Sequence, residues 1–308
     1  MSPGTLRVLN LLGPEVGRMV EGAAPGTEVI TLGPRSTADP ALHQAPILLG
    51  GWAPSPVFDV LDELGVRWVH LAATGLDRFP AELFRGRLVT HARGVFAVPM
   101  AEYVVAAILD YVKLIPERSG LSRYSAHDPY RSLAGQTVGL FGFGSVGQAV
   151  ATRLAVFEVR LKAFKRHPIA GHSAVHLVSS VHELVRGVDH LVLAAPRTPD
   201  TERVINARVI SRMPAGSHLV NVARGALVDH GALRAALDTG HLGRATLDAT
   251  DPEPLPAGHW LLEHPQARVT PHISWRGADG IRAVVDNFVD NLRRYRAGAS
   301  LLHQVKAE

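Results

Sequence analysis

The chain has 308 residues, of which 46% are hydrophobic and 19% are charged, and its formal net charge is +4. This composition is typical of a folded globular protein with room for two domains, and it excludes a disordered chain. The absence of cysteine excludes disulfides, thiolate nucleophiles and cysteine-based zinc sites, and fits a reducing compartment. The small, dispersed positive charge argues against a nucleic-acid partner. No apolar run reaches the roughly 18 residues of a membrane span, and the N-terminus lacks a signal-peptide pattern, so we expect a cytoplasmic protein.

The first hundred residues alternate short apolar strands with helices. Strands are predicted at 6–12, 28–32, 47–51, 67–72 and 88–91, and helices from Glu15 and over 57–64. The first strand ends at Gly13-Pro14 and the second helix ends at Gly65, which are usual helix and strand breaks. Such alternation predicts a parallel sheet with helices on its faces.

A long helix is predicted over 99–115, and nearly every face of it is apolar, so we expect it to be buried between layers or domains. Residues 116–134 are polar and irregular and are interpreted as a connector, with an arm that packs on another subunit as the alternative. Alternation resumes with strands at 137–141, 159–164, 190–195, 217–223, 244–249 and 268–272, and with a helix at 231–237. The closing helix, about 278–295, has no sheet of its own and is expected to return to the first unit.

The predicted fold class is therefore α/β, with two doubly wound parallel-sheet domains. We expect a discontinuous substrate-binding domain at 1–98 plus 273–308 and a dinucleotide-binding domain at 99–272, with a cleft between them.

The glycine-rich turn at 142–147, GFGSVG, follows the apolar strand at 137–141 directly and precedes a helical segment. In a dinucleotide-binding βαβ unit the first glycine, Gly142, allows the tight turn. The second, Gly144, lets the backbone approach a pyrophosphate, and the third, Gly147, lets helix and strand pack closely. The free N–H groups of the helix N-terminus favour the phosphates. A purely structural glycine turn is the alternative, but the flanking strand and helix favour dinucleotide binding.

Two cations end the strand that follows. In NAD-binding units an Asp or Glu about 20 residues past the glycines takes the ribose 2′-hydroxyl. Here Lys165 and Arg166 occupy that place and no carboxylate does. Because Lys and Arg are natural phosphate partners, these residues predict NADP(H) as the preferred cofactor, with NAD(H) as the alternative. An exposed basic strand end is the structural interpretation.

Three polar segments lie near the carboxyl ends of the last three predicted strands and carry Arg224, Glu253 and His272. Ligands of open α/β sheets bind at the carboxyl ends of the strands, so these side chains could converge. A guanidinium can hold a carboxylate, an imidazole can carry a proton near neutral pH, and a neighbouring carboxylate can orient the imidazole. Reduction of a 2-oxo acid requires a carboxylate clamp, a proton and a cofactor hydride.

At this point the chain resembles the D-isomer-specific 2-hydroxyacid dehydrogenases, a family that includes glyoxylate/hydroxypyruvate reductases, phosphoglycerate dehydrogenase and formate dehydrogenase. The resemblance rests on GFGSVG, PRTPDTERVIN, NVARGALVD, LDATDPEPLP and TPHIS, in family order across 99–275, and on TGLD at 74–77. It implies a Rossmann-type nucleotide-binding domain, a flavodoxin-like substrate domain and a dimer formed through the nucleotide-binding domain.

The resemblance also implies roles for individual residues. His272 is the expected acid/base, Glu253 its partner and Arg224 the substrate clamp, while Asp248 is expected to hold the nicotinamide amide. The remaining cofactor contacts are expected at Gly142, Gly144, Ser145, Val146, Gly147, Lys165, Arg166, Pro196, Thr201 and Ala223. The substrate is expected to contact Trp52, Ala73, Thr74 and Gly75 besides Arg224 and His272, with backbone N–H groups around Thr74-Gly75 receiving its carboxylate.

The chain departs from the family pattern at several places. Ser145-Val146 replaces the frequent Arg-Ile of the glycine turn, Lys165 replaces the usual Asp, and Tyr103 stands where the segment before the long helix usually has His. The cations at 165–166 favour the NADP-dependent glyoxylate/hydroxypyruvate reductase branch. The loop at 51–54 matches no single substrate class, so the 2-oxo acid stays open.

Other functions are less consistent with the sequence. His167, His172 and His176 lie in an irregular segment without a carboxylate ligand, so no metal is expected. His182-Glu183 lacks the second histidine of a zincin helix, and no GxSxG elbow exists. Two rivals stay open: a nucleotide-sensing corepressor of the same fold without turnover, and a dehydrogenase of phosphite-like anions.

Overall fold

The computed structural model describes residues 5–33, 39, 43–120, 131–166 and 174–305. Its strands are β1 (Leu6–Asn10), β2 (Thr27–Thr31), β3 (Ile47–Gly50), β4 (Trp68–Leu71), β5 (Leu88–His91), β6 (Thr137–Phe141), β7 (Arg160–Phe164), β8 (Val175–Val178), β9 (His190–Leu193), β10 (Ser217–Asn221), β11 (Leu242–Leu247) and β12 (Ala267–Val269). Its α-helices are α1 (Pro14–Ala23), α2 (Ala97–Lys113), α3 (Ile115–Arg118), α4 (Ser145–Leu154), α5 (Val181–Leu184), α6 (Ala207–Ile210), α7 (His230–Asp238), α8 (Trp260–Glu263) and α9 (Gly280–Arg296). Short 3-10 helices cover Pro56–Val60, Ala81–Phe84, Ala155–Phe157 and Gly225–Leu227.

The chain divides into two compact units. Unit 1 consists of Met1–Phe96 and Gly277–Glu308, and unit 2 consists of Ala97–Arg276. The boundaries expected from the sequence, 98/99 and 272/273, differ from these by a few residues at each crossing.

Unit 1 contains a parallel sheet in the order β2-β1-β3-β4-β5. Alternate side chains of its central strands point to opposite faces, as the period of a β-strand requires. Val8 and Ile47 pack in one core cluster, and Leu9 and Leu48 pack in the other. Because both faces are covered, the strands are apolar throughout, and the strand order is that of flavodoxin-like folds.

The closing helix α9 covers one of these faces. It packs Val285, Phe288 and Leu292 into the cluster that also contains Val16 of α1, and Phe288 stacks on Trp68 with ring centroids 5.4 Å apart. The apolar residues recur with helical spacing and define one face of α9. Burial of this face places the C-terminal segment in unit 1.

Unit 2 contains a parallel sheet in the order β12-β11-β10-β9-β6-β7-β8. The chain starts in the middle at β6, builds outward to β8, and then returns to β9 on the other side of β6. This is the doubly wound order of dinucleotide-binding domains, and its direction reverses between β6 and β9. The predicted fold class, with two parallel-sheet α/β domains, is confirmed.

Two predicted local elements differ from the structure. The helix expected over 57–64 is a 3-10 helix at Pro56–Val60 followed by turns, with the Phe58 N–H donating to Ser55 O at 3.0 Å. Its apolar residues are buried, which explains the helical spacing of the sequence. The strand β8 has no counterpart in the sequence prediction, because four residues with one histidine give too short a pattern.

The long helix was expected to be buried between layers or domains, and α2 is buried only in part. Its buried residues, such as Ala101, Val104 and Ile108, form one face against the unit 2 core. Val98 on another face is 50% exposed.

The connector expected at 116–134 begins with α3, and residues 121–130 lie outside the described part of the chain. Over the residues that the structure describes, no helix has the length and apolar character required to cross a membrane.

Candidate active site

The glycine turn lies at the reversal point of the unit 2 sheet, between β6 and α4. Gly142 has a φ of 102°, and a Cβ there would lie 2.7 Å from the backbone of Ala194 and Ala195. A Cβ on Gly147 would collide with the carbonyl oxygen of Gly142. Both positions therefore require glycine, because no side chain fits between the turn and its neighbours.

Gly144 differs from the other two glycines. A Cβ built on it would meet no atom within 4 Å, so the turn faces open space at this position. Gly144 is also the N-cap of α4, and its missing side chain provides no cap for the first-turn N–H groups at Ser145, Val146 and Gly147. The predicted phosphate-binding residues thus form an accessible helix N-terminus with open space beside it, which fits a pyrophosphate.

The two cations predicted to select NADP(H) follow β7. Lys165 is partly exposed and Arg166 is exposed, one and two residues beyond the strand end. Arg166 lies 3.6 Å from Asp200, and both side chains are mostly exposed to solvent. An exposed ion pair of this kind contributes little to stability. Arg166 can therefore release Asp200 and bind an anion of higher charge, such as a phosphate.

The loop after β9 carries the predicted contacts Pro196 and Thr201. The Thr201 hydroxyl donates to the Pro196 carbonyl at 2.8 Å and accepts from the Thr198 N–H at 2.7 Å. These bonds close the loop on itself at the carboxyl end of β9, beside the glycine turn at the end of β6. A cofactor contact of either residue stays a prediction.

The three predicted catalytic segments follow β10, β11 and β12, which are neighbours in the sheet. The buried Asn221, at the end of β10, organises the first of them. Its amide donates to the Arg224 carbonyl at 2.8 Å and its amide oxygen accepts from the Ala223 N–H at 3.0 Å. Arg224 donates to the Ala223 carbonyl at 2.8 Å. Gly225 packs directly against the backbone of Thr250 and Asp251, so the segments after β10 and β11 touch.

His272 and Glu253 form the pair expected from the sequence. The His272 Nδ1 lies 2.8 Å from Glu253 Oε1, and both side chains are partly exposed. Because a carboxylate can only accept, Nδ1 donates, and Nε2 is the ring nitrogen left to exchange a proton with a substrate. The arrangement can orient an imidazole and stabilise its charged form.

The backbone of His272 adopts a conformation that is uncommon outside glycine. Its φ is 53°, in the left-handed region. The indole of Trp275 donates to the His272 carbonyl at 2.8 Å, and the His272 N–H donates to the Thr270 carbonyl at 2.9 Å. A strained residue at a site with an acid/base pair is a frequent feature of functional sites.

Asp248 was expected to hold the nicotinamide amide, and the structure gives its carboxylate other partners. It is 2% exposed and accepts three hydrogen bonds from the loop that contains His272. The Thr270 hydroxyl and the Ile273 N–H donate to Oδ1 at 2.6 and 2.8 Å, and the Ser274 N–H donates to Oδ2 at 2.8 Å. The structure therefore assigns Asp248 to the support of the loop, and the nicotinamide contact stays a prediction.

The sequence interpretation missed several residues around His272. Tyr103 of α2 lies 2.6 Å from the Thr270 hydroxyl, oxygen to oxygen, and Trp275 holds the His272 carbonyl. The available signals were the replacement of the usual histidine by Tyr103 and the position of Thr270 and Trp275 beside the TPHIS motif. The replacement at Tyr103 does not identify its partner, because Thr270 lies 167 positions away in the sequence. The motif does not show that the Trp275 indole turns back to the His272 carbonyl.

The residues expected to contact the substrate follow the carboxyl ends of β3 and β4 in unit 1. Trp52 is 38% exposed, Ala73 is buried, and the Thr74 hydroxyl donates to the Ala92 carbonyl at 3.1 Å. His91, the last residue of β5, donates from Nδ1 to the Thr74 carbonyl at 3.1 Å. The loop carrying Thr74 and Gly75 is thus held from β5, by a histidine that the sequence interpretation did not single out.

No metal site was expected from the sequence. The described residues contain no cluster of three or more His, Asp or Glu side chains that could hold a metal ion. Of the histidines at 167, 172 and 176, His176 belongs to β8, and His167 and His172 lie outside the described residues.

The fold of unit 2 and the pair at His272 define a class of enzyme, the dehydrogenases that use a nicotinamide dinucleotide. The chain belongs to the D-isomer specific 2-hydroxyacid dehydrogenase family, whose NAD-binding domain matches residues 108–274. It is accordingly a 2-hydroxyacid dehydrogenase or reductase, and the resemblance inferred from the motifs is confirmed.

Individual relatives show the same relationship. The chain is 29% identical to a glycerate dehydrogenase from Methylorubrum extorquens, over 78% of this chain and 79% of that protein. It is 32% identical to a glyoxylate reductase from Thermofilum pendens, over 71% of this chain and 68% of that protein. The crystal structure of a D-isomer specific 2-hydroxyacid dehydrogenase from Xanthobacter autotrophicus Py2, in complex with NADPH and MES, aligns with a TM-score of 0.85 at 27% identity, covering 99% of this chain and 98% of that one.

Proposed function

We propose that the chain reduces a small 2-oxo acid to the D-2-hydroxy acid, reversibly, with NADPH as the preferred cofactor. The observation that carries this proposal is the 2.8 Å contact between His272 Nδ1 and Glu253 Oε1, at the carboxyl edge of a dinucleotide-binding sheet. Relatives named glycerate dehydrogenase and glyoxylate reductase support a small substrate. The proposal assigns nucleotide binding to unit 2 and substrate selection to unit 1.

Arg224, His272 and Glu253 have separate roles in the proposed reaction. Arg224 holds the substrate carboxylate, for which a guanidinium offers two parallel N–H donors. His272 donates a proton from Nε2 to the carbonyl oxygen, while its Nδ1–H remains bonded to Glu253. The Glu253 carboxylate stabilises the imidazolium and fixes the plane of the ring. When bound, the nicotinamide supplies the hydride for the carbonyl carbon.

The glycine turn fits the dinucleotide that this chemistry requires. The open space at Gly144 and the N–H groups of the first turn of α4 suit a pyrophosphate. Lys165 and Arg166 supply positive charge at the strand end where the adenosine ribose is expected. The structural relative from Xanthobacter autotrophicus Py2 was crystallised with NADPH, which supports the same class of cofactor here.

The test is a panel of glyoxylate, hydroxypyruvate, pyruvate and bulkier 2-oxo acids, each assayed with NADPH and with NADH. We expect turnover of at least one acid and a D-configured product by chiral chromatography. Tight dinucleotide binding without turnover of any acid would contradict the proposal and favour the corepressor. Oxidation of phosphite in place of 2-oxo acid reduction would favour the dehydrogenase of inorganic anions.

The cofactor preference gives a first prediction. Lys165→Asp should narrow or reverse the preference for NADPH, because a carboxylate repels the 2′-phosphate and accepts from the ribose 2′-hydroxyl. A change of about tenfold to a hundredfold in the ratio of kcat/KM values corresponds to the loss of one or two charge-assisted hydrogen bonds. Lys162→Asp is the matched control, since the Lys162 ammonium donates to the Arg186 carbonyl at 2.9 Å. Preference of the wild-type enzyme for NADH would contradict the role of Lys165.

We further propose that the enzyme is a homodimer formed through unit 2. At the edge of the unit 2 core, α2 borders an open groove of about 420 Å³, lined by Glu102, Val105, Ala106, Leu109, Arg153 and Phe157. Val98 is 50% exposed and Val156 is 79% exposed. An apolar groove and exposed apolar side chains on one unit are typical of an interface between subunits.

The dimer gives a second prediction. Leu109→Glu should shift the sedimentation coefficient to that of a 33.1 kDa monomer, because a buried charge without a partner opposes association. Ile281→Glu, the same kind of apolar-to-acidic change at an exposed position of α9 in unit 1, should leave the sedimentation coefficient unchanged. A monomeric wild-type protein at micromolar concentration would contradict the proposal.

A further inference from the structure

A chain of hydrogen bonds runs from α2 to the loop that carries His272. The Tyr103 hydroxyl lies 2.6 Å from the Thr270 hydroxyl, and the Thr270 hydroxyl lies 2.6 Å from Asp248 Oδ1. Asp248 in turn accepts from the N–H groups of Ile273 and Ser274. All of these groups belong to unit 2, and the two short distances identify well-formed O–H···O bonds.

The direction of this chain follows from the number of protons available. The Thr270 hydroxyl has one proton, and it donates that proton to the Asp248 carboxylate, which only accepts. The Thr270 oxygen must therefore accept from Tyr103. Burial raises the pKa of Tyr103 to about 12, so the phenol keeps its proton at working pH and can serve as the donor.

Asp248 accepts hydrogen bonds from the loop on both sides of His272. Its partner Thr270 precedes His272 by two residues, and Ile273 and Ser274 follow it directly. The backbone of His272 lies between these attachments with a φ of 53°. A left-handed non-glycine residue costs on the order of 1–3 kcal/mol and persists only where its surroundings determine it.

We propose that Tyr103 is a positioning residue for His272: by donating to Thr270, its hydroxyl fixes the hydrogen-bond chain to Asp248 that holds His272 in its left-handed conformation, in contact with Glu253. This inference rests on the proposed role of His272 as the acid/base. It assigns a role to the tyrosine that replaces the histidine usual at this position.

Removal of the phenol hydroxyl should act on the chemical step. In Tyr103→Phe the Thr270 oxygen loses its donor inside a partly buried site, and the Thr270 hydroxyl is free to turn away from Asp248. We expect kcat to fall about tenfold, the change in rate that corresponds to one hydrogen bond, with the KM for NADPH unchanged within about twofold. The isotope effect on kcat measured with deuterated NADPH should rise, because hydride and proton transfer to the substrate become more strongly rate-limiting.

Substitutions at Thr270 test the chain as a unit. Thr270→Val removes the hydroxyl with little change of shape and should reproduce the loss, whereas Thr270→Ser retains the hydroxyl and should retain most of kcat. The double variant Tyr103→Phe/Thr270→Val should be no slower than Thr270→Val alone, since coupled residues are non-additive. Additive losses would overturn the proposal.

The matched control is a second tyrosine of the same helix. Tyr111 of α2 is also partly buried, and its hydroxyl donates to the Gly216 carbonyl at 2.5 Å. Tyr111→Phe removes a comparable hydrogen bond and should lower the melting temperature about as much as Tyr103→Phe does. It should leave kcat and the isotope effect unchanged. Equal losses of kcat in the two variants would show a general effect on stability and would overturn the proposal.

A measurement without turnover separates this inference from the proposed function. Hydrogen exchange of the Ile273 and Ser274 amides, followed by mass spectrometry of the peptide around them, should be about tenfold faster in Tyr103→Phe than in Tyr111→Phe. Faster exchange in a protein that reduces no 2-oxo acid would contradict the proposed function alone. Unchanged exchange in an active enzyme would overturn the role of Tyr103 alone.

Discussion

His272 combines the chemistry of the site with an uncommon backbone conformation. Its imidazole contacts Glu253, its carbonyl accepts from Trp275, and its φ is 53°. A substitution at this position therefore tests two properties at once. Asn is the replacement that separates them, because Asn tolerates the left-handed region better than other residues do.

His272→Asn should lower kcat/KM by about a hundredfold to ten-thousandfold, the usual contribution of a positioned acid/base group. The melting temperature and the Kd for NADPH should change little, since the loop conformation is preserved. Steady-state kinetics and equilibrium binding measure the two effects separately. Glu253→Gln keeps an acceptor for Nδ1 without its charge and should cause a smaller loss. Turnover near the wild-type rate in His272→Asn would show that another group carries the proton.

Asp248 illustrates what residue-scale prediction from the sequence can achieve. The motif places a carboxylate at the end of β11, and the resemblance assigns it to the nicotinamide. The structure shows its oxygens bonded to Thr270, Ile273 and Ser274. The residue type could be identified from the motif, but the partners could not, because they depend on how the next loop folds back.

At the scale of elements, the three glycines of the turn occupy two kinds of environment. Gly142 and Gly147 lie against backbone atoms, whereas Gly144 borders open space. The sequence pattern predicts all three positions, since each follows from the order of strand, turn and helix. The distances from a Cβ built at each position show that Gly142 and Gly147 serve close packing, whereas Gly144 faces open space.

This difference gives a prediction for two matched variants. Gly144→Ala should leave the melting temperature of the cofactor-free protein nearly unchanged and raise the Kd for NADPH more than about tenfold, because the methyl group occupies the space needed by the pyrophosphate. Gly147→Ala should destabilise unit 2 itself, by about 1–3 kcal/mol, through overpacking against Gly142. Calorimetry and fluorescence titration distinguish the two. A stable Gly147→Ala protein with weak NADPH binding would contradict this assignment.

The long helix α2 shows why burial of a helix cannot be predicted from its hydrophobicity alone. Its sequence is apolar on nearly every face, which favours burial between layers or domains. In the structure one face packs in unit 2 and another borders an open apolar groove. Hydrophobicity alone cannot distinguish a core from an interface between subunits, because burial by either removes the same apolar area from water.

At the scale of the whole molecule, several buried histidines are neutral. In unit 2 the His190 Nε2 donates to Gln136 Oε1 at 2.7 Å, so its Nδ1 accepts from His218 Nδ1 at 3.3 Å. His218 Nε2 then accepts from the Thr246 hydroxyl at 2.9 Å. This order of donors satisfies both rings without an extra proton, so protonation of either ring would break a bond.

Burial is the main reason that these rings stay neutral, and it makes stability depend on pH. It lowers the pKa of His70 to about 3 and that of His190 to about 4, and lowers the pKa of His218 well below its usual value. Unfolded histidines bind protons near pH 6.5. The unfolded state therefore binds more protons below this pH, and the free energy of unfolding falls as the pH drops from 6.5 towards 4.

Between pH 6.5 and 4 the free energy of unfolding should fall by about 1.4 kcal/mol per pH unit for each such histidine. Above pH 7 these groups should contribute little to its pH dependence. Urea unfolding at a series of pH values measures it. His70→Asn removes one titrating group while keeping an atom near the Thr90 hydroxyl, which lies 2.8 Å from His70 Nδ1, and should reduce the slope by one such increment. A free energy of unfolding that is constant from pH 7 to pH 5 would contradict this expectation.

The sequence by itself determined the alternation of strands and helices, the glycine turn and the family, because each of these is written in contiguous residues. It also supplied Arg224, Glu253 and His272 as the candidate catalytic residues, each at a predicted strand end. Only the tertiary structure decided which side chains meet. Tyr103 and Thr270 are 167 positions apart and become partners only because α2 packs beside the strands of unit 2. Long-range hydrogen bonds depend on strand order and helix packing, and neither is encoded in a local pattern.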